Sequence, residues 1–325
     1  MEDLAALAGV SKITISRALR DSPLVTPATR ARIKALAEQV GYRMNFSARN
    51  LRLQRCHTIA VVLEMLPDVD RPMSGPYPLH LLGGIMQELA TQGYNLLLTA
   101  VQPVVAGLPV AADGVILLGQ GVHDAGMRAV ADCRLPFVVW GAEPGPGRLD
   151  GVHAVIVGSD NRQGGASVAR RFIELGRHQP LFLGDTRHAE VRERLLGFRA
   201  GLQRASIQAA ALRPEAFTFG AGYAAVQAHL RASRTAPDAL FAASDLLAMG
   251  AVRAFAEAGL AVPEAVSVIG YDDSPPAQTC TPPLSSVSQD WVHGGVLLAR
   301  KVLELIAGGQ ARSVTLPTRL VLRAT

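Results

Sequence analysis

Cysteine is scarce in this chain of 325 residues: Cys56, Cys133 and Cys280 are odd in number and far apart. That pattern offers neither a disulfide framework nor the paired spacing of a zinc site, so thiols in a reducing compartment are expected. No apolar run approaches the roughly 20 residues that a membrane span needs. The N-terminus reads as a basic helical unit rather than as the charged start and apolar core of a secretory leader. Catalytic signatures are missing as well. The chain has no Gly-rich phosphate loop ending in Lys-Ser/Thr, no Gly-x-Ser-x-Gly elbow, and eight histidines scattered without metal-ligand spacing. Gly119-Gln120-Gly121 lacks the third glycine of a dinucleotide fingerprint. Neither a cofactor nor a metal is expected, and an enzyme is not the favoured reading.

Nearly half of the residues are hydrophobic, at 49%, and the length suits two or three domains with sizeable cores. Residues 1–57 carry ten Lys and Arg against four Asp and Glu, so the net charge of +5 resides there and the rest is nearly neutral. A small cationic unit in front of a neutral body suits phosphate neutralisation. Leu4, Leu7 and Ala8 share one face of a first short helix, Gly9 permits a tight turn, and Ser11 is placed to cap a second helix. In that second helix Ile15, Ala18 and Leu19 fall inward at helical spacing, leaving Lys12, Ile13, Ser16 and Arg17 outward. Lys12 and Arg17 suit guanine edges or phosphates, Ile13 suits a thymine methyl, and the hydroxyls of Thr14 and Ser16 suit phosphate oxygens. Thr26 with Pro27 starts a third helix striped by Ile33, Leu36, Ala37 and Val40 and ended by Gly41. The spacing therefore predicts a helix-turn-helix.

The arginine-rich stretch from Arg43 to Arg55 has little core face and reads as a linker. It could gain helical turns against phosphates, with Leu51 available to wedge into a minor groove. From Thr58 onward, apolar strands alternate with amphipathic helices: Ile59–Met65, Asn95–Val101, Val115–Leu118 and Phe137–Trp140 as strands, with helices from Leu81 and Ala125. A second series follows Asp160, with strands Pro180–Leu183, Phe217–Phe219, Ala239–Ala243 and Val266–Tyr271 and helices from Gln163, Val191, Ala224 and Leu246. Buried strands between helices imply parallel sheets covered on both faces, and two such units enclose a crevice beyond the strands' carboxyl ends.

Across nearly its whole length the chain resembles the LacI/GalR family of bacterial transcriptional repressors. The resemblance rests on Ala8-Gly9-Val10-Ser11 with Thr14-Ile15-Ser16-Arg17, Asn45 to Leu51, Asp160-Asn161 with Gly164-Gly165, and Arg194 with Gly197-Phe198. Ser244-Asp245 with Gly250, Gly270-Tyr271-Asp272-Asp273, and Pro283-Leu284-Ser285-Ser286-Val287 complete it. The implied architecture is a small all-α helix-turn-helix headpiece plus an α/β core of two Rossmann-like parallel-sheet subdomains, similar to type I periplasmic binding proteins. The implied boundaries are a headpiece at 1–44, a hinge at 45–57 and an effector domain at 58–325. Within the last, the N-subdomain covers about 58–159 and 291–313, and the C-subdomain about 160–290 and 314–325, including a final strand Val314 to Val321.

The resemblance further implies a homodimer on a pseudo-palindromic double-stranded operator, in the bacterial cytoplasm at the nucleoid and away from any membrane. Lys12, Ile13 and Arg17 would read bases, with Ser11, Thr14 and Ser16 near phosphates and Asn45, Ala48 and Leu51 at the minor groove. A small-molecule effector, expected to be a sugar, would bind in the crevice. The matching positions are Tyr77, Trp140, Arg194, Ser244, Asp272, Gln289 and Trp291, with Phe217 and Phe219 as further wall candidates. Arg194 and Asp272 suit vicinal hydroxyls, and flat aromatic faces suit sugar C–H groups. The same parts could serve an activator or a non-sugar corepressor, and a sugar-processing α/β enzyme is the remaining alternative. The chain departs from the family pattern at Trp140, where an Asp is common, and at Ser244, where an Asn is usual. The stretch Gln102 to Ala112, with two prolines, is also short for the helix of a parallel crossover, which predicts a helix missing or reduced to a stub.

Overall fold

A computed structural model describes residues 2–19, 21–42, 56–64, 75–121, 125–143, 152–233 and 235–325. They form two compact units, Met1–Cys56 and His57–Thr325. In the first, α1 (Glu2–Ala8), α2 (Lys12–Ala18) and α3 (Pro27–Gln39) close over Leu4, Ala5, Ala8, Ile15, Ala18, Val25, Ile33 and Ala37. The Thr26 hydroxyl accepts the Thr29 amide and Pro27 opens α3, so the start signal works as the sequence implies. Leu7, expected inward, is instead 63% exposed. Leu4, Ala5 and Ala8 share the buried face, and Leu7 falls beside it.

The second unit contains two six-stranded sheets. The first is built from β1 (Thr58–Leu63), β2 (Asn95–Ala100), β3 (Gly114–Leu118), β4 (Phe137–Trp140), β5 (Val155–Ser159) and β11 (Val314–Leu316), in the order β11-β5-β4-β3-β1-β2. The second runs β12-β10-β9-β8-β6-β7, from β6 (Pro180–Leu183), β7 (Ala210–Leu212), β8 (Ala239–Ala242), β9 (Ser267–Asp272), β10 (Ser285–Ser288) and β12 (Arg319–Val321). Every pairing is parallel except β10 with β12. Both orders reverse beside the first strand of their sheet, the point at which doubly wound folds present a crevice. Side chains alternate across the first sheet. Ile59, Val61, Ile116, Val138 and Trp140 face α4 (Pro76–Thr91) and α12 (Trp291–Ile306), while Ala60, Val62, Val115, Leu117 and Val139 face α6 (Ala125–Asp132).

Helix pairs cross at glycines. A Cβ on Gly84 of α4 would fall 2.1 Å from the Val292 carbonyl oxygen, and one on Gly295 of α12 would fall 2.3 Å from that of Leu81. The approach is therefore backbone to backbone, and it anchors α12 on the first lobe although the strand before it, β10, lies in the second.

Four sequence expectations need correction. Helix α4 starts at Pro76 rather than Leu81, because prolines in a first turn cost no helical hydrogen bond. The strand expected over Phe217–Phe219 is absent. The Thr218 hydroxyl accepts the Ala221 amide and turns the chain into α9 (Phe219–Ala232), and the edge strand is Ala210–Leu212. The strand expected over Val314–Val321 divides at Pro317-Thr318, so that Val314–Leu316 joins the first sheet and Arg319–Val321 the second. Thr318 braces this crossing by donating to the Asp160 carbonyl or Gln163 Oε1. Finally, the sequence reading places no strand between Trp140 and Asp160, yet Val155–Ser159 forms β5 of the first sheet.

The short crossover is a stub, α5 (Val101–Val105). It leaves Leu97 of β2, the register partner of Ala60 on that face, exposed together with Val105 and Leu108. Among the described residues no helix is long and apolar enough to cross a membrane, and no group of His, Cys, Asp and Glu is placed to hold a metal ion. None of the three cysteines forms a disulfide.

Candidate nucleic-acid interface and ligand cleft

Helix α2 follows a three-residue turn in which Gly9 adopts φ +62°, a conformation that favours glycine. The Ser11 hydroxyl accepts the Thr14 amide at 3.1 Å and lies 2.9 Å from the Thr14 hydroxyl. These two expected phosphate contacts thus hold the helix start together. Ile15 and Ala18 are fully buried, whereas Lys12 and Arg17 are exposed, Ile13 is 62% exposed, and Ser16 is half-buried. An exposed isoleucine between two cations is costly for a surface with no partner. Lys12 pairs with Glu2. The α3 cations are spent internally: Arg30 donates to the carbonyls of Ser22 and Val25, Arg32 to that of Ala8, and Lys34 to Asp21. The outward cations of α2 are therefore the ones presented as a set with Ile13. Asn45, Ala48 and Leu51 lie outside the described residues.

In the second unit a cleft of about 410 Å³, including its open mouth, lies beyond the strand ends. Tyr77 on the first turn of α4 and Trp291 at the start of α12 face it from one lobe. Phe217, Ser244, Asp245, Asp272 and Ser274 face it from the other. Tyr77 and Trp291 meet edge to face with ring centroids 5.9 Å apart, and His80 packs on Trp291 while its Nδ1 bonds the Pro76 carbonyl at 2.7 Å. The indole Nε1 of Trp291 is buried and has no hydrogen-bond partner among the described residues. A buried donor left unpaired is costly.

Asp272 closes β9 with φ +115° and is followed by Asp273 at +51°. Two consecutive residues in this region mark stored backbone strain of the kind found at binding sites. Gln289 Nε2 donates to Asp272 Oδ1 at 2.7 Å, and Arg323 holds Asp273. Ser244 caps α10 (Asp245–Glu257) by accepting the Leu247 amide. Asp245 behind it accepts from the Ser274 amide and hydroxyl and from the Ser286 hydroxyl.

Burial, with the Asp272 charge second, pushes the Asp245 carboxyl well above the usual carboxylate range against those three donors. The folded state then binds this proton more tightly than the unfolded chain. Its contribution is complete below the unfolded value near pH 4 and fades as pH rises through the raised one. Urea denaturation between pH 5 and 8 is expected to show stability falling with pH, and Asp245→Asn to flatten that slope. Equal slopes in both proteins would refute the assignment.

Two expected cleft residues sit elsewhere. Trp140 is 2% exposed and belongs to the first lobe's core, its six-membered ring filling the space left by Gly294 of α12. Alternation along β4 aims it with Val138 at α12 and not at the crevice. Arg194, on α8 (Ala189–Gln203), is 4% exposed and lies behind the cleft. It donates from Nε to Asn161 Oδ1 at 2.8 Å and from Nη1 to the Ala243 carbonyl at 2.6 Å, with its guanidinium 3.7 Å from the Tyr271 ring centre. Burial holds the Tyr271 phenol above its ordinary pKa, and its hydroxyl also donates to Asn161. Tyr77, Ser244, Asp272, Gln289 and Trp291 are brought together, and Phe217 joins them against His188. Phe219 is exposed on α9. Sequence reasoning missed Asn161, Ser274 and Ser286 as site supports, although Asp160-Asn161 and Ser285-Ser286 stood within its motifs.

A compact helix-turn-helix with an outward basic face, joined to a two-lobed α/β receptor with an aromatic cleft, defines a ligand-responsive DNA-binding regulator. Residues 1–45 match the bacterial regulatory proteins of the lacI family, and residues 169–325 match the periplasmic binding protein-like domain. The transcriptional regulator CelR of Thermobifida fusca is 32% identical over 99% of this chain and 95% of its own length. The solved CelR–cellobiose complex superposes with a TM-score of 0.72 at 30% identity, covering 99% of this chain and 98% of that one. The Lac repressor dimer bound to operator and the anti-inducer ONPF gives a TM-score of 0.86 at 25% identity, covering 99% and 97%. The chain belongs to the lacI family of bacterial transcriptional regulators, with its DNA-binding helix-turn-helix and periplasmic-binding-protein-like body.

Proposed function

We propose that this protein is a cytoplasmic repressor that binds an inverted-repeat operator as a homodimer and is switched by a sugar held between its lobes. The observation that carries the reading is the cleft itself, in which the aromatic side chains of Tyr77 and Trp291 on one lobe oppose Phe217 and the Gln289-bonded Asp272 on the other. Flat apolar faces beside acceptor and donor groups suit the alternating C–H and O–H surface of a sugar. The cellobiose of the CelR complex supports that chemistry. Site roles proposed here are DNA contact for Ser11, Lys12, Ile13, Thr14, Ser16 and Arg17, minor-groove contact for Asn45, Ala48 and Leu51, and effector contact for Tyr77, Ser244, Asp272, Gln289 and Trp291. Arg194 serves as their brace.

The sugar acts by binding one arrangement of the lobes better than another, so its differential affinity sets the change in operator binding. It is released unchanged, without turnover. The exposed Leu97 and Leu98 on β2 and Leu79 and Met86 on α4 offer apolar surface for self-association. A thermal-shift screen of neutral mono- and disaccharides is expected to raise the melting temperature with one of them, and that sugar to change retention of inverted-repeat DNA in a gel. Chemical conversion of the sugar, or a shift without any effect on DNA binding, would defeat the reading.

A further inference from the structure

We infer that the cleft selects an uncharged saccharide and discriminates against its phosphorylated and acidic counterparts, an inference that rests on the sugar reading above. Among the described lining residues the acidic and basic side chains are Asp245 and Asp272, two carboxyl groups. Asp272 stands at the wall, and Asp245 is buried behind it. A ligand carrying a phosphate or carboxylate would bring a like charge toward Asp272 in a site partly shielded from water, where repulsion is stronger than in bulk.

Two devices by which proteins bind such anions are largely consumed among the described residues. Among the described residues Arg194, behind the cleft, is committed to Asn161, the Ala243 carbonyl and the Tyr271 ring, and it is sealed from solvent. Two of the helix starts at the cleft offer fewer free amides than usual. Helix α4 has Pro76 and Pro78 in its first turn, so two of the amides that would point at an anion are missing. Helix α10 begins with Asp245, and its Leu247 amide is already taken by the Ser244 hydroxyl. What the wall offers is the Asp272 carboxylate, which accepts a hydroxyl proton, beside the aromatic side chains of Tyr77 and Trp291.

Calorimetric titration of the full chain with matched probes tests this: cellobiose against cellobionate, glucose against glucose 6-phosphate and gluconate, ribose against ribose 5-phosphate, and galactose against galacturonate. At least one neutral member is expected to bind, with each of its charged counterparts at least tenfold weaker. A charged probe that binds as tightly as its neutral partner, or more tightly, overturns the inference. Failure of every probe with folded protein defeats the sugar reading itself, and this inference with it. Asp272→Asn keeps a residue type tolerant of the positive φ and is expected to narrow the neutral-to-charged ratio at least threefold. An unchanged ratio would remove Asp272 as the origin of the discrimination.

Discussion

Arg194→Ala is expected to lower the stability of the α/β unit by about 1–3 kcal/mol, the cost of leaving buried acceptors without their donor. The guanidinium connects four elements of the second lobe: its own helix α8, Asn161 at the first position of α7 (Asn161–Glu174), the Ala243 carbonyl just after β8, and the Tyr271 ring on β9. Truncation leaves the Ala243 carbonyl without its donor and Asn161 Oδ1 with the Tyr271 hydroxyl alone. Hydrogen bonds to charged groups contribute roughly 1.5–3 kcal/mol each, and a desolvated cation over an aromatic face about 2 kcal/mol. These losses overlap and are not summed. Arg194→Lys keeps the charge but neither the fork nor the planar stacking, and is expected to recover less than half of the loss. Urea denaturation followed by circular dichroism measures both. A loss below about 1 kcal/mol in the alanine variant would contradict the bracing role assigned from these distances. A lysine variant of wild-type stability that no longer binds sugar would make Arg194 a ligand contact instead.

The double replacement Lys12→Ala with Arg17→Ala is expected to weaken operator binding by about 2–6 kcal/mol, roughly 30-fold to 10⁴-fold, at moderate salt. Both side chains are exposed on α2, beside Ile13 and clear of the buried Ile15 and Ala18. The fold of the headpiece should be untouched, because its core contains neither residue. The salt dependence reports which role each side chain has. A phosphate contact lowers the slope of affinity against salt by about one, whereas a base contact leaves the slope and relaxes sequence preference. The Lys12–Glu2 pair is exposed, so its loss offsets little of the DNA term. Electrophoretic mobility shifts at several salt concentrations supply these numbers. Wild-type affinity in the double variant would exclude α2 as the reading helix.

Most of the fold was legible because its signals are local. Ser11 and Thr26 cap helices by bonding amides three residues ahead, and the strands of the two sheets are short apolar runs bounded by polar turns. Errors fell where two local signals compete. Phe217-Thr218-Phe219 alternates like a strand, yet the Thr218 cap prevails because it satisfies an amide that a strand edge would leave to solvent. Val314 to Val321 reads as one strand until Pro317 interrupts the ladder and the chain changes sheets.

The cleft was legible only in part. Periodicity can place Trp291 at a helix start and Trp140 at a strand end, but both look alike as aromatic residues near a crevice. Gly294, far from Trp140 in sequence, decides that Trp140 enters the core. Likewise nothing in the local sequence marks Arg194 as braced, since its partners Asn161, Ala243 and Tyr271 lie 33, 49 and 77 residues away.

The sequence by itself determined the cationic reading helix, the tandem α/β series and the stub where a crossover helix would stand, because caps, apolar periods and segment lengths act over a few neighbouring residues. Only the tertiary structure decided which polar groups face the crevice and which are consumed behind it. Hydrogen-bond partners drawn from four separate elements are brought within 3 Å by packing, and no short-range pattern encodes that meeting.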